Sequence, residues 1–308
     1  MALTVRKNTQ KKKTKNPLKA IKSAKAAEIG GLELPTEDTP PCTDIRDFTY
    51  LIAGERGIGK TTLSHAFGNT LHFMWEPGAR ALSLRQVACP TWEHHLKYLD
   101  LLEQKLKDDP TYCRTVVDDT GYMKYERCFE HVLAQNGITD VHDTSWGGAY
   151  KLIEKEFRAQ YYRLFDMGVG VIIISHTDEK EIKKKVGREY VTVDTVLKHE
   201  LSKAAMRLFK AICDLEGYYY VDYADGNKRK MRIIASEKID AKNRIDGHFL
   251  TPSGSPMEII ELGNGGPADA FDRFHKAFDN ELPETKTGIV TPRKPVAKRK
   301  GAAILSRR

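Results

Sequence analysis

The sequence predicts an α/β fold built on a mostly parallel, doubly wound sheet, with a β-hairpin added late in the chain. Three observations predict it. Short β-branched runs alternate with stretches of helical period. A glycine-rich loop joins the first run to a helix, and Asp225-Gly226-Asn227 separates two strand patterns in the manner of a tight hairpin turn.

Each element has a local cause. Pro35 to Cys42, with Pro40-Pro41, reads as a linker into the folded part. Phe48 to Ala53 is an apolar strand and Thr62 to Phe67 a helix. His72 to Glu76 is a short strand stopped by Pro77-Gly78. Thr91 opens a helix in which Trp92, Leu96, Leu99, Leu102 and Leu106 recur at three- and four-residue spacing, and Pro110 ends it. Tyr112 to Val117 is the next strand, closing on Asp118-Asp119. Met123 to Gln135 and Ala149 to Phe165 have helical period, the second ending at Gly168. Val169 to Ser175 is the most apolar strand, which predicts a central place in the sheet. Residues 177–199 form a long charged segment, and Leu201 to Ile212 reads as helix. Tyr218 to Val221 and Lys230 to Ala235 are the arms of the late hairpin.

With 308 residues, 40% of them hydrophobic, the chain can bury one sizeable core with appendages. No apolar run approaches the ~20 residues that cross a bilayer, so no membrane partner is expected. Cys42, Cys89, Cys113, Cys128 and Cys213 include no C-x-x-C pair and read as reduced thiols of a cytoplasmic protein. The net charge of +8 divides unevenly. Residues 1–26 hold nine Lys/Arg and no acid, residues 286–308 hold eight and no acid. The remaining 33 basic residues face all 42 acidic ones, so the body carries about −9. Cationic ends poor in aromatics are expected to be disordered until they meet a polyanion such as nucleic acid.

Gly54-Glu55-Arg56-Gly57-Ile58-Gly59-Lys60-Thr61 is a complete G-x-x-x-x-G-K-T loop, entered from a strand and left through Thr62 into a helix. In that setting successive backbone N–H groups curl around phosphate oxygens, and the helix start adds its positive dipole end. Lys60 is expected at the β- and γ-phosphates and the Thr61 hydroxyl at Mg²⁺. ATP with Mg²⁺ is the expected ligand. Thr115-Val116-Val117-Asp118 has the look of a Walker B strand, bringing Asp118 to the sheet edge as a second Mg²⁺ ligand. Glu76, ending the strand after the loop's helix, is placed to polarise a water in line with the γ-phosphate. Asp119 is the rival base. His176 closes the central strand and is placed to report whether the γ-phosphate is present. Strand alternation puts Lys242 and Arg244 on one face.

These motifs together resemble the RecA-like P-loop ATPases, most closely the phage-encoded AAA-type single-strand annealing and recombination ATPases. The resemblance covers residues 46–265. It rests on Gly54–Thr61, Phe73–Gly78, Val116–Asp119, Ile172–His176 and Ala241-Lys242-Asn243-Arg244. It implies a RecA-like ATPase domain over 41–282, between a basic arm and linker (1–40) and a basic tail (283–308). It favours Glu76 over Asp119 as the base, because RecA-like proteins use the glutamate ending the second strand. It makes His176 a coupling residue, although that family carries an amide there. It casts Lys242 and Arg244 as cations that reach a neighbouring subunit's ATP, within a homo-oligomeric ring or filament. Lys180, Lys183, Lys184, Lys185 and Arg188 would belong to its DNA-binding loop, the alternative being a solvated helix. Single-stranded DNA, with a single-strand-binding protein as a further partner, is the implied target, in the host cytoplasm if the chain is phage-encoded. A DnaB-like helicase, a nucleotide-switched DNA-binding protein with little turnover, and a P-loop kinase are the other readings.

Overall fold

A computed structural model describes residues 28–29, 32–33, 35–144, 147–186 and 189–282. Most of the basic arm and all of the basic tail (283–308), with the disorder expected of them, lie outside the described residues. Within the arm, Glu28–Ile29 (β1) pairs antiparallel with Leu32–Glu33 (β2).

The body is organised by one twisted sheet. Its parallel part contains Thr49–Gly54 (β3), Thr70–Met74 (β4), Gln86–Ala88 (β5), Thr115–Asp119 (β6), Gly170–Val186 (β7) and Leu215–Asp222 (β9). Glu189–His199 (β8), Lys228–Arg232 (β10), Lys242–Asn243 (β11) and Ile259–Gly263 (β12) add antiparallel pairs. The order across the sheet is β12-β10-β9-β3-β7-β6-β4-β5. The first half of β7 therefore lies between β3 and β6, the central place that its apolar composition predicts.

Alternation along the strands divides the core into two layers. Tyr50, Ile52, Val117, Ile172 and Ile174 face helices Lys60–Ala66 (α1) and Pro267–Phe278 (α6), packing on Leu63, Phe67, Phe274 and Phe278. Leu51, Phe73, Val116, Val171 and Ile173 face the opposite layer. There Trp92–Asp108 (α2), Gly121–Gln135 (α3), Gly148–Met167 (α4) and Lys203–Ile212 (α5) supply Trp92, Leu99, Tyr125, Phe157 and Phe209. Helix caps follow from the residues before them: Thr91, Thr120 and Ser202 each accept a backbone N–H from their own first turn.

Several boundaries depart from the sequence expectation. The strand expected over His72 to Glu76 ends at Met74: Trp75 still donates its N–H to Asp119 O at 2.8 Å, and the chain bends from there to Pro77. The late hairpin is present, with Gly226 and Asn227 in the left-handed region at φ 62° and 60°, but its second arm ends at Arg232. The pattern above has no element for strand β12, which extends the sheet beyond β10, or for helix α6, which covers the α1 side.

The largest departure is the charged segment 177–199, which is neither helix nor loop. Strand β7 continues past the sheet and pairs with β8 from Thr177↔His199 to Val186↔Glu189, with a register shift between Ile182 and Lys183. At ~3.3 Å per residue, the ten residues from Thr177 to Val186 span about 33 Å, and the ribbon is tied to the body near its base, where Leu197, opposite Glu179, donates its N–H to Lys238 O at 3.1 Å. The β-branched run Val191-Thr192-Val193-Asp194-Thr195-Val196 explains the choice of strand over helix.

Candidate nucleotide site

The loop Glu55–Gly59 leaves β3 at Gly54 and enters α1 at Lys60. Gly54 is forced by packing: a Cβ there would meet the carbonyl oxygen of Tyr219 on β9 at 2.2 Å. Gly57 and Gly59 adopt φ 76° and 99°, values that L side chains rarely reach, and a Cβ on either would meet nothing within 4 Å. The main chain is thus curled and uncluttered where phosphate oxygens would approach it. Gly59 is also the N-cap of α1 and provides no capping side chain. Ile58 anchors the loop by packing between the α1-side core and the Tyr218–Tyr220 cluster. Thr62 lies in the first turn of α1, half-buried.

Lys60 is 4% exposed and its Nζ donates to Gly54 O at 2.8 Å and Glu55 O at 2.7 Å. Nδ1 of His176 lies 3.1 Å from the same Nζ, so the imidazole accepts there. Burial pulls Lys60 down to about 8, and burial followed by the Lys60 charge lowers His176, which keeps its ring neutral. His176 sits level with Gly54 in the β3–β7 ladder, which brings it to the loop.

Here the structure corrects the Mg²⁺ assignment. Asp118 shares its face with Val116, away from α1, and is fully buried. Its carboxylate accepts Lys124 Nζ at 2.8 Å, Tyr161 O–H at 3.0 Å and Trp75 Nε1–H at 3.2 Å. None of these three donors belongs to the loop. Asp119 shares the face of Val117, toward α1, and its Oδ2 accepts the Thr61 hydroxyl at 2.6 Å. Asp119, read above as a rival base, is the carboxylate beside Thr61. Burial raises its pKa, the Thr61 bond lowers it, and the charge of Glu76 raises it again.

Glu76 follows Trp75 at the same sheet edge. Its Oε1 accepts the hydroxyl of Thr120 at 2.6 Å, which holds the carboxylate at the end of β6. Arg56 leans from the loop to Glu200, at 2.7 and 3.0 Å from its two carboxylate oxygens, and Glu200 N–H donates to His176 O. Thr120 and Glu200 escaped the sequence reading. Thr120 carried a weak signal as the N-cap before a helical run, whereas Glu200, 144 residues from Arg56, carried none.

Other expected residues lie elsewhere. Lys242 Nζ donates to Lys210 O at 2.6 Å, and Arg244 donates to Ala211 O and Cys213 O at 2.9 and 2.6 Å. Both do lie on one side of the chain, but they close the C-terminal carbonyls of their own α5. Lys242 pairs with Glu216 near the start of β9, three residues below the strand level of Gly54. The structure therefore does not bring either cation to its own chain's loop. Lys180, Lys183, Lys184 and Lys185 lie along β7 in the projecting hairpin, while Arg188 is outside the described residues.

The donor set fits a magnesium nucleotide. Thr61 and Asp119 are hard oxygen donors hydrogen-bonded to each other, and Lys60 supplies an ammonium group beside them. Among the described residues, no group of three or more His, Cys, Asp or Glu could hold a metal unaided. Two protein ligands completed by phosphate oxygens and water suit Mg²⁺.

A family model described as AAA domain matches residues 46–245. A search of curated proteins returns no match. Among the described residues, no helix is long and apolar enough to cross a membrane.

Proposed function

The chain belongs to the AAA domain family of P-loop ATPases, and from that premise we propose that it hydrolyses ATP while acting on single-stranded DNA as a homo-oligomer, promoting annealing or strand exchange. The observation that carries the ATPase reading is the convergence of Lys60, Thr61, Asp119 and Glu76 at the ends of β3, β6 and β4. In this reading Thr61 and Asp119 would hold Mg²⁺, which would supply charge neutralisation to the triphosphate. Lys60 exchanges its loop carbonyls for phosphate oxygens. Glu76, oriented by Thr120, accepts a proton from the attacking water, whose oxygen bonds to the γ-phosphorus as the bridging oxygen leaves with ADP. His176 touches Lys60 through its imidazole while its main chain continues into the hairpin, which suits it to pass on phosphate occupancy.

Support for the DNA partner is chemical. Lys180, Lys183, Lys184 and Lys185 follow His176 on one projecting ribbon, and the terminal segments carry seventeen Lys/Arg without an acid. Such cations favour a polyanion without reading its sequence. A second reading, a nucleotide-switched DNA-binding protein with little turnover, draws on one observation: Lys242 and Arg244 are engaged on α5. A Glu76→Gln variant separates the two. ATP turnover with single-stranded DNA is expected to fall by about 10²–10³-fold with ATP affinity retained. Equal low turnover in wild type and variant refutes the hydrolytic reading.

A further inference from the structure

The carboxylate displaced from the Mg²⁺ assignment has a structural setting too elaborate for packing alone. Asp118 and Lys124 form an ion pair in which both side chains are 0% exposed. Such a pair persists in an interior only when each charge is fully partnered. Lys124 Nζ also lies 4.0 Å from the Tyr161 ring centroid and 5.9 Å from that of Trp75. Each partner of Asp118 comes from a different element: Trp75 from the end of β4, Lys124 from the first turns of α3, Tyr161 from α4.

Those elements are the ones that place the reacting carboxylates. Asp119 is the next residue on β6. Glu76 is the next residue after Trp75, and Thr120, the cap of α3, is its hydroxyl donor. Trp75 is held to β6 twice, by its backbone N–H to Asp119 O at 2.8 Å and by its indole N–H to Asp118 at 3.2 Å. Rotation of Trp75 would carry Glu76 with it.

We infer that Asp118 is a positioning residue for hydrolysis, setting Glu76 and Asp119 relative to each other through Trp75 and Lys124 without touching nucleotide. The inference rests on the ATPase reading and adds a residue to it. It separates binding from chemistry: the loop and Lys60 hold ATP independently of Asp118, whereas the in-line water depends on Glu76, which Asp118 orients.

Trp75→Phe is the direct test, since it keeps an aromatic ring in place and removes the N–H that Asp118 accepts. Expected is a kcat lowered about tenfold or more with ATP affinity by calorimetry within about threefold of wild type. Asp118→Asn alone leaves Lys124 an unpartnered buried cation and is expected to lower the melting temperature. Asp118→Leu/Lys124→Met removes both charges together with the acceptor of the Trp75 N–H, and is expected to recover most of the melting temperature lost in Asp118→Asn while kcat stays low. A merely structural role would restore kcat together with stability. Wild-type kcat in Trp75→Phe, or in the double variant at wild-type stability, overturns the inference while the wild-type enzyme still turns over. Absence of turnover in the wild-type protein overturns the ATPase reading, and this inference with it.

Discussion

The Thr61 hydroxyl donates to Asp119 Oδ2 at 2.6 Å, joining the first turn of α1 to the end of β6 across one face of the sheet. Its neighbour Asp118 is bonded into the opposite face. Two adjacent aspartates thus have separate partners, divided by the two-residue period of a strand. Asp119→Asn is expected to raise the Mg²⁺ concentration needed for half-maximal turnover and to lower kcat by about 10²-fold or more. Asp118→Asn is expected to lower stability by about 3–5 kcal/mol, because an uncompensated buried Lys124 remains. Mg²⁺ titration of turnover together with thermal melting checks both. Equal Mg²⁺ dependence of the two variants would reject the division.

Lys60 is expected to set the alkaline limit of nucleotide binding. Its pKa is lowered to about 8 by burial, so the charged form is disfavoured in the folded protein. The sign follows. Well below pH 8 the ammonium is present and ATP is expected to bind without proton uptake; above pH 8, binding must take up a proton. ATP affinity is expected to be flat to about pH 7 and to decline by up to tenfold per unit beyond about pH 8. Calorimetry in buffers of different ionisation enthalpy would show proton uptake near pH 8–9. Uptake of no proton there would mean that Lys60 does not charge on binding.

The same contrast shows what could be read from residues in order. The loop Gly54–Thr61 was legible because its conformational demands are local: two left-handed glycines, a lysine and a hydroxyl at fixed offsets. The choice between Asp118 and Asp119 was not. It depends on which face of β6 meets α1, and Val116 and Val117 are apolar on both. The ribbon 177–199 had its signal in the alternation of Val191 to Val196, outweighed by the lysines opposite. Arg56–Glu200 and Trp75–Asp118 join residues far apart in the chain, which only the folded sheet brings together.

The projecting ribbon carries the DNA prediction. Replacing Lys180, Lys183, Lys184 and Lys185 by Gln is expected to weaken single-stranded DNA binding at low salt. The log–log salt slope should flatten by about 0.7 for each phosphate no longer neutralised. Deleting residues 1–26 and 286–308 should flatten the slope further and independently. Affinity measured across a salt series checks this; an unaltered slope in the ribbon variant would clear the ribbon of any role in binding phosphate.

Lys242 and Arg244 make opposite predictions for two roles. As caps of α5 they satisfy carbonyls of Lys210, Ala211 and Cys213, so Arg244→Ala is expected to cost about 1 kcal/mol, or a few degrees in melting temperature. ATP turnover per folded molecule would then be unchanged. As cations reaching a neighbour's γ-phosphate, they must leave those carbonyls in the assembly, and turnover would fall far more than stability. Mixing distinguishes the roles, because Glu76→Gln subunits and Lys242→Ala/Arg244→Ala subunits lack complementary parts of a shared site. Recovered turnover in the mixture, absent from either variant alone, is expected if sites form between subunits. Turnover equal to the sum of the separate variants at every ratio would assign both residues to α5 alone.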